Sequence, residues 1–229
     1  VMFTMFTAGI DLSVVAIANV TSICAALTLR SMLGPAVTPS SMGMATLIAL
    51  GVALVVGVVC GLINGTLVAV LKIPPILATL GTLELFGGVA LILTQGKPVS
   101  GVPAAFGAVF TGKVAGLVPI PLVVFLVCAA VAGAIVAFTG FGTTILMLGT
   151  NDTAARFSGL KVTSLLIRTY VLSGVMAAMA GIVMLANYNG SGRLSGVLLS
   201  ILMLQVLSSG LNMFPDISNF YRPLIWGGV

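Results

Sequence analysis

The feature that most constrains this chain is a series of apolar runs separated by short segments rich in glycine, proline or charged residues. A bilayer core about 30 Å thick is crossed by about 20 helical residues, so runs of this length are typical of transmembrane helices. They cover residues 10–33, 42–72, 76–96, 118–140, 168–187 and 192–213, and another opens after Pro215-Asp216. Residues 1–9 resemble the end of an earlier span. We predict an all-α membrane protein, a polytopic helical bundle of about eight visible spans or part-spans.

Composition points to the same environment. Hydrophobic residues make up 59% of the chain and charged residues only 6%, whereas a soluble domain carries about a quarter charged residues. So few charges cannot cover a surface that faces water. The nine Lys and Arg residues are scattered singly, which excludes a basic nucleic-acid-binding patch. We therefore predict the lipid bilayer as the partner of most of the surface.

Charge placement orients the predicted bundle. The longest polar stretch, residues 140–168, holds Asp152, Arg156, Lys161 and Arg168. By the positive-inside rule this stretch is cytoplasmic, which makes residues 97–117 external and the turn at Lys72 internal. The chain begins and ends in apolar sequence, so we expect truncation at both ends of a single transmembrane domain over residues 1–229.

Two acidic residues lie inside the apolar runs. Because a charge at mid-membrane costs about 3 kcal/mol on insertion scales, each needs a physical explanation. Asp11 lies between Gly9 and Ser13, a pattern that predicts a helix break, where Asp11 either caps the next helix or serves a pathway. Glu84 lies near the middle of residues 76–96. It either makes a buried interhelical hydrogen bond or lines a pathway.

The sequence offers no catalytic machinery. It holds no histidine, no phosphate-binding glycine loop with lysine, and no cluster with metal-ligand spacing, so we predict no catalytic site, metal or cofactor. Uncharged polar residues within spans suit a neutral, polyhydroxylated solute, although they also serve as interhelical hydrogen bonds. The pathway candidates are Asn19, Asn64, Thr79, Thr82, Glu84, Gln205 and Asn212.

Small residues recur at every fourth position in two spans, a spacing that predicts close helix packing. They are Gly57, Gly61 and Gly65 in one span and Ser173, Ala177 and Gly181 in another.

A short helix is predicted within the cytoplasmic stretch. Asn151 or Asp152 is a suitable N-cap, residues 153–157 give about one turn, and Gly159 can end it in the left-handed conformation. Such a helix suits docking into a groove on a partner, where the small side chains of Ala154 and Ala155 allow close approach. An ordinary connecting loop is the alternative.

Taken together, several motifs resemble the permease subunits of bacterial ribose-type (simple sugar) ABC importers. They are residues 8–13, 61–65, 72–82 and 149–162, with Ser173-Gly174 and residues 177–182, in the same order and spacing. The resemblance implies about ten spans in the bacterial inner membrane. It implies a second permease subunit, two cytoplasmic ATPase subunits that bind ATP and Mg, and a periplasmic solute-binding protein. It also implies ATPase coupling through Gly149, Asn151, Asp152, Thr153, Ala154, Ala155, Arg156, Gly159 and Lys161.

These expectations describe the permease of an ATP-driven importer for a sugar or sugar-like solute, which forms half of the translocation pathway and is itself no enzyme. The alternative is an ion- or proton-coupled secondary transporter, although two membrane acids without histidine poorly support a proton relay. We also expect a missing segment between Ser191 and Gly192, because the family carries a longer Ala-rich segment there.

Overall fold

The computed structural model describes residues 2–7, 9–33, 39–97, 99, 102, 106–107, 112–114, 117–150, 155 and 157–190. Residues 191–229 lie outside this part. The predicted spans after residue 191, the proposed junction and the pathway candidates Gln205 and Asn212 are therefore outside the described residues. So are the coupling candidates Asn151, Asp152, Thr153, Ala154 and Arg156.

Helices dominate the described chain. They are α1 (Met2–Phe6), α2 (Val14–Met32), α3 (Pro39–Ala69), α4 (Pro75–Thr94), α5 (Ile120–Phe138), α6 (Gly140–Thr150) and α7 (Val162–Gly190). A small antiparallel ribbon joins β1 (Lys113–Val114) to β2 (Val118–Pro119). Five helices, α2 to α5 and α7, are long and apolar enough to cross a membrane. The prediction of an all-α polytopic bundle is confirmed.

The turn between α3 and α4 follows from three residues. Lys72 adopts a left-handed conformation with φ 56°, which ends the course of α3. Pro74 occupies the N-cap of α4 and Pro75 its first turn. Proline suits this place because its missing N–H is one that a helix start leaves unpaired.

Residues 140–168 do not form one long loop. Residues 140–150 form α6, and α7 begins at Val162, so Arg168 lies in the second turn of a spanning helix. The apolar side chains of Ile145 and Leu148 are buried in one cluster with Phe3 of α1, which stabilises α6. Arg168 is exposed near the end of its helix, where a long basic side chain reaches the membrane surface at little cost.

The glycine ridge on α3 packs against α7. A Cβ atom built on Gly57 would lie 2.6 Å from the carbonyl oxygen of Gly174, and one built on Gly61 would lie 2.5 Å from that of Tyr170. A Cβ on Gly65 would lie 2.9 Å from the Cα atom of Ile167. Any larger residue here must push the two helices apart, because these neighbours are backbone atoms.

The second predicted ridge, on α7, does not face a single helix. Gly181 lies against the backbone of Ala18 in α2, whereas Ser173 points its hydroxyl at the carboxylate of Asp11. The small residue of α7 that meets the α3 ridge is Gly174, one position from the predicted register. α7 therefore contacts α3 on one side and α2 on another.

Candidate functional site

A buried polar cluster surrounds the break between α1 and α2. Residues 9–12 are not helical, and Asp11 is only 2% exposed. Its Oδ1 atom accepts the backbone N–H of Ser13 at 3.1 Å and the Ser13 hydroxyl at 2.7 Å. Its Oδ2 atom accepts the hydroxyl of Ser173 in α7 at 2.9 Å. The carboxylate thus links the break to a helix that is distant in sequence.

Two more side chains connect the break to α3 and α4. The amide Nδ2 of Asn64 donates to the Ser13 hydroxyl at 2.7 Å. The hydroxyl of Thr79 lies 3.1 Å from the Ile10 carbonyl oxygen and 2.8 Å from that of Pro75, so it donates to both. Hydrogen bonds from three helices therefore converge on five residues of non-helical chain.

Asp11 is stabilised by hydrogen bonds beside the amino end of α2. Within the described part of the chain it forms no ion pair, but it accepts three hydrogen bonds. The bond from Asp11 to the N–H two residues later is an Asx turn. That turn leads into α2 at Val14, whose amino end carries a partial positive charge that favours a carboxylate. The N-cap of α2 is Ser13, without a side-chain cap bond, so Asp11 supports the helix break through its hydrogen bonds to Ser13 and Ser173 rather than as the N-cap.

Two atoms beside this cluster have no hydrogen-bond partner among the described residues. They are Oδ1 of Asn64 and the hydroxyl of Tyr170, both buried. The Tyr170 hydroxyl lies beside Gly9, where an added Cβ atom would come within 3.1 Å of it. Leaving a buried polar group unpaired costs about 1–3 kcal/mol. A rearrangement that gives these two atoms hydrogen-bond partners would therefore stabilise the protein.

A cavity of about 570 Å³ lies between this cluster and the predicted cytoplasmic ends of the helices. Tyr170, Pro75, Lys72 and Gly149 are among its lining residues. Gly149 also packs directly on the carbonyl oxygen of Phe6, leaving no room for a side chain. The beginning of the predicted coupling stretch thus touches the chain just before the helix break.

The pathway candidates do not share one surface. Asn64, Thr79 and Thr82 are buried within the chain, at 0%, 0% and 3% exposure. Asn19 is half-buried, and Glu84 is exposed. Asn64 and Thr79 hold their helices to the break between α1 and α2, whereas the Thr82 hydroxyl donates to the Thr79 carbonyl within α4. Glu84 makes no buried interhelical hydrogen bond among the described residues, because its side chain lies on the open face of α4.

The coupling stretch presents different residues from those expected. Ala155 is 2% exposed and belongs to the cluster formed by Phe3, Ile145 and Leu148. Its methyl group faces the core of this chain, so the expected role of Ala155 in close approach by a partner is wrong. Phe157 is instead 87% exposed, just before Gly159, which has φ 76°.

Sequence analysis did not single out Phe157. The sequence feature that could have identified it is an aromatic residue in a polar stretch on the predicted cytoplasmic side. Lys161 is also exposed and lies just before α7. Phe157, Gly159 and Lys161 are therefore accessible positions in the second half of the stretch.

Comparison with known proteins identifies the family. The family described as "Branched-chain amino acid transport system / permease component" matches residues 1–217. The chain belongs to this permease family. The match confirms the resemblance seen in the motifs, and together with five apolar spans it makes the permease a multi-pass protein of the bacterial inner membrane.

Two relatives illustrate the similarity. The permease is 33% identical over 199 residues to the autoinducer 2 import system permease protein LsrD of Yersinia enterocolitica. This alignment covers 72% of this chain and 60% of the relative. It is 29% identical over 263 residues to the ribose import permease protein RbsC of Bacillus subtilis, covering 99% of this chain and 76% of the relative. The chain spans about 60% of the length of the LsrD relatives. No solved structure matches it.

Proposed function

We propose that this permease is the membrane-spanning subunit of an ATP-driven importer for a sugar or sugar-like solute. It forms half of the translocation pathway and hydrolyses no ATP. The observation that carries the proposal is the family match over residues 1–217, and the names of the relatives, which import ribose and autoinducer 2, indicate the solute class. Energy enters through partner ATPase subunits that bind ATP and Mg and shift the permease between inward-open and outward-open arrangements.

The stretch from Gly149 to Lys161 is the proposed contact with the ATPase. Phe157 supports this role, because an aromatic side chain that is 87% exposed beside a polar turn is typical of a protein interface. Gly149 supports a route for transmission, since it packs on Phe6 at the end of α1. A displacement of this stretch therefore pushes on the chain that leads into the Asp11 break.

The partner arrangement follows from the same proposal. A second permease subunit, identical or related, completes the pathway, and a periplasmic solute-binding protein delivers the solute. The exposed apolar surface of α5 offers area for such contacts or for lipid. Only Ala132 of this helix is buried, while Phe125, Leu126 and Val127 are 66%, 55% and 56% exposed.

The proposal also includes the missing segment between Ser191 and Gly192. The alignment with the ribose import permease covers 263 positions, whereas this chain has 229 residues, so the relative holds residues without a counterpart here. Sequencing the gene from genomic DNA across codons 185–200 tests this point. A continuous reading frame identical to this sequence would locate the length difference in the protein itself, and extra codons would restore the segment.

Copurification tests the central proposal. The tagged permease, produced with its neighbouring genes and purified in mild detergent, should bring down a nucleotide-binding subunit. Proteoliposomes that contain all subunits and the binding protein should accumulate radiolabelled D-ribose or autoinducer 2 only when ATP is present. Uptake by the permease alone on a proton or sodium gradient would contradict the proposal and identify a secondary transporter.

A further inference from the structure

Glu84 lies at mid-depth on a spanning helix with its side chain exposed. It is the tenth of the 20 residues of α4. Its carboxylate forms no hydrogen bond or ion pair within the described part of the chain. A carboxylate at this depth that faced lipid would be strongly disfavoured, so the face that carries it is not a lipid-facing surface.

The packing of α4 shows which face this is. Thr82, Phe86 and Ala90 are buried at 3%, 4% and 3% exposure, and they form the stripe that packs on the rest of the bundle. At 100° per residue, Glu84 projects almost opposite to this stripe. The carboxylate therefore points away from the bundle that the chain itself forms.

The surroundings of Glu84 are small. Gly81 and Gly88, one turn before and one turn after it, lie on the same face, and neither has a heavy atom of another residue within 4 Å of an added Cβ position. Gly81 and Gly88 therefore leave bare helix backbone on one side of the carboxylate, while Leu80, one turn before Glu84 and 44% exposed, is the bulky side chain on the other. A ligand with several hydroxyl groups can approach such a surface closely.

Charge complementarity decides what covers this face. In the described spans the basic residues lie near the ends, Arg30 in the last turn of α2 and Arg168 in the second turn of α7. A contact between two copies would bring no cation from these spans to the depth of Glu84. Isologous contact near the axis would even oppose two carboxylates. Because the described spans supply no cation at this depth, water and neutral hydroxyl groups are the partners that we expect for the carboxylate.

We propose that Glu84 lines a water-filled part of the translocation pathway and accepts hydrogen bonds from hydroxyl groups of the passing solute. This inference rests on the proposed function and makes Glu84 a specificity-determining residue. A carboxylate accepts hydrogen bonds from neutral polyhydroxylated molecules and repels anionic ones. The pathway therefore selects uncharged sugars over sugar phosphates.

Cysteine labelling tests the position of Glu84 without knowledge of the solute. In a variant whose three native cysteines are replaced by alanine, Glu84→Cys is compared with Val127→Cys, an exposed mid-span position on the apolar helix α5. The probe is a membrane-impermeant methanethiosulfonate, applied to the permease in proteoliposomes from each side. Glu84→Cys should react faster by on the order of tenfold or more, because a thiol ionises in water and not in an apolar setting.

Transport measurements test the hydrogen-bonding role. Glu84→Gln keeps the shape and removes the charge, whereas Glu84→Asp keeps the charge. Because charged acceptors bind hydroxyl groups more strongly than neutral ones, Glu84→Gln should raise the KM for D-ribose or autoinducer 2 by about tenfold. Glu84→Asp should recover part of the loss, and the amount of assembled complex should be unchanged in both.

The outcomes separate this inference from the proposed function. Fast labelling of Glu84→Cys, combined with no ATP-dependent uptake by the parent permease, supports a water-filled pathway and contradicts the ATP-driven importer. Labelling of Glu84→Cys no faster than that of Val127→Cys, from both sides and with or without MgATP, overturns the inference. Ready oxidation of Glu84→Cys to a disulfide between two copies also overturns it, because the face is then a subunit contact.

Discussion

The two acidic residues of the predicted apolar runs, Asp11 and Glu84, stand in opposite surroundings. Asp11 is 2% exposed and accepts three hydrogen bonds at the amino end of α2. Glu84 is exposed at the middle of α4 and has no partner of its own chain among the described residues. Both would be costly in lipid, but only Asp11 has that cost offset by the fold. A membrane acid satisfied within its own chain holds structure, and an unsatisfied one indicates an external partner.

The largest effect is expected at Asp11. Asp11→Ala removes the acceptor of three hydrogen bonds and leaves the hydroxyls of Ser13 and Ser173 buried with fewer partners. Each buried donor left without a partner costs about 1–3 kcal/mol, and this substitution affects three donors. We expect a large loss of assembled permease and a lower melting temperature in detergent.

Asp11→Asn is the matched variant, because it keeps one oxygen and the volume while replacing the charge. It should lose less stability than Asp11→Ala. If Asp11→Ala melts like the parent and only transport is lost, Asp11 serves the pathway like Glu84, and the contrast between the two acids fails.

A smaller effect is expected from the helix contact beside the Asp11 cluster. Gly61→Leu places a large side chain against the backbone of Tyr170, and overpacking of this kind costs about 1–3 kcal/mol. Gly88→Leu is the control, since the open face of α4 leaves space there. The melting temperature should fall for Gly61→Leu and stay at the parental value for Gly88→Leu. Equal stability of both variants would show that α3 and α7 do not pack this closely.

The coupling stretch gives a third expectation. Phe157→Ala removes an exposed aromatic group, so the free permease should keep its stability within about 0.5 kcal/mol. Truncation of an aromatic hot spot costs about 2 kcal/mol of binding, so less ATPase should copurify and solute-stimulated ATP hydrolysis should fall. If Phe157→Ala binds the ATPase as strongly as the parent does, the stretch is only a connecting segment.

Ala155→Glu is a poor probe of the same contact. It places a carboxylate in the cluster of Phe3 and Leu148, so any loss of coupling would be confused with unfolding of the permease. Phe157→Ala avoids this problem because the Phe157 side chain contacts solvent.

The sequence predicts the spans better than it predicts the polar cluster around Asp11. The length and apolarity of each run were enough to place α2 to α5 within a few residues, because a bilayer requires little else. The helix break was visible from Gly9, Asp11 and Ser13. Its partners were not, since Asn64 is 51 residues from Ser13 and Ser173 is 162 residues from Asp11. Only the three-dimensional packing brings them together.

Orientation around a helix axis was the other limit. α4 is apolar on all sides, so its sequence has no polar stripe that reveals the packed face. Only the packing of Thr82 and Phe86 on the bundle shows that Glu84 faces outward. Similarly, Ala155 and Phe157 are two residues apart, and tertiary contacts with α1 and α6 decide that the first is buried and the second exposed.

The smallest effect is expected for the stability of Glu84 variants, and it is the sharpest test of the comparison. Glu84→Gln breaks no hydrogen bond within the described chain, so the melting temperature of the isolated permease in detergent should match the parent, with a free-energy change within about 0.5 kcal/mol. Thr82→Val is the control on the same helix, because the Thr82 hydroxyl is buried and donates to the Thr79 carbonyl, and losing it should cost about 1 kcal/mol. Differential scanning fluorimetry of the three proteins side by side measures both values. A clear destabilisation by Glu84→Gln would mean that the carboxylate is satisfied within the protein. Glu84 would then join Asp11 as a structural acid, and the pathway would have to run along another face.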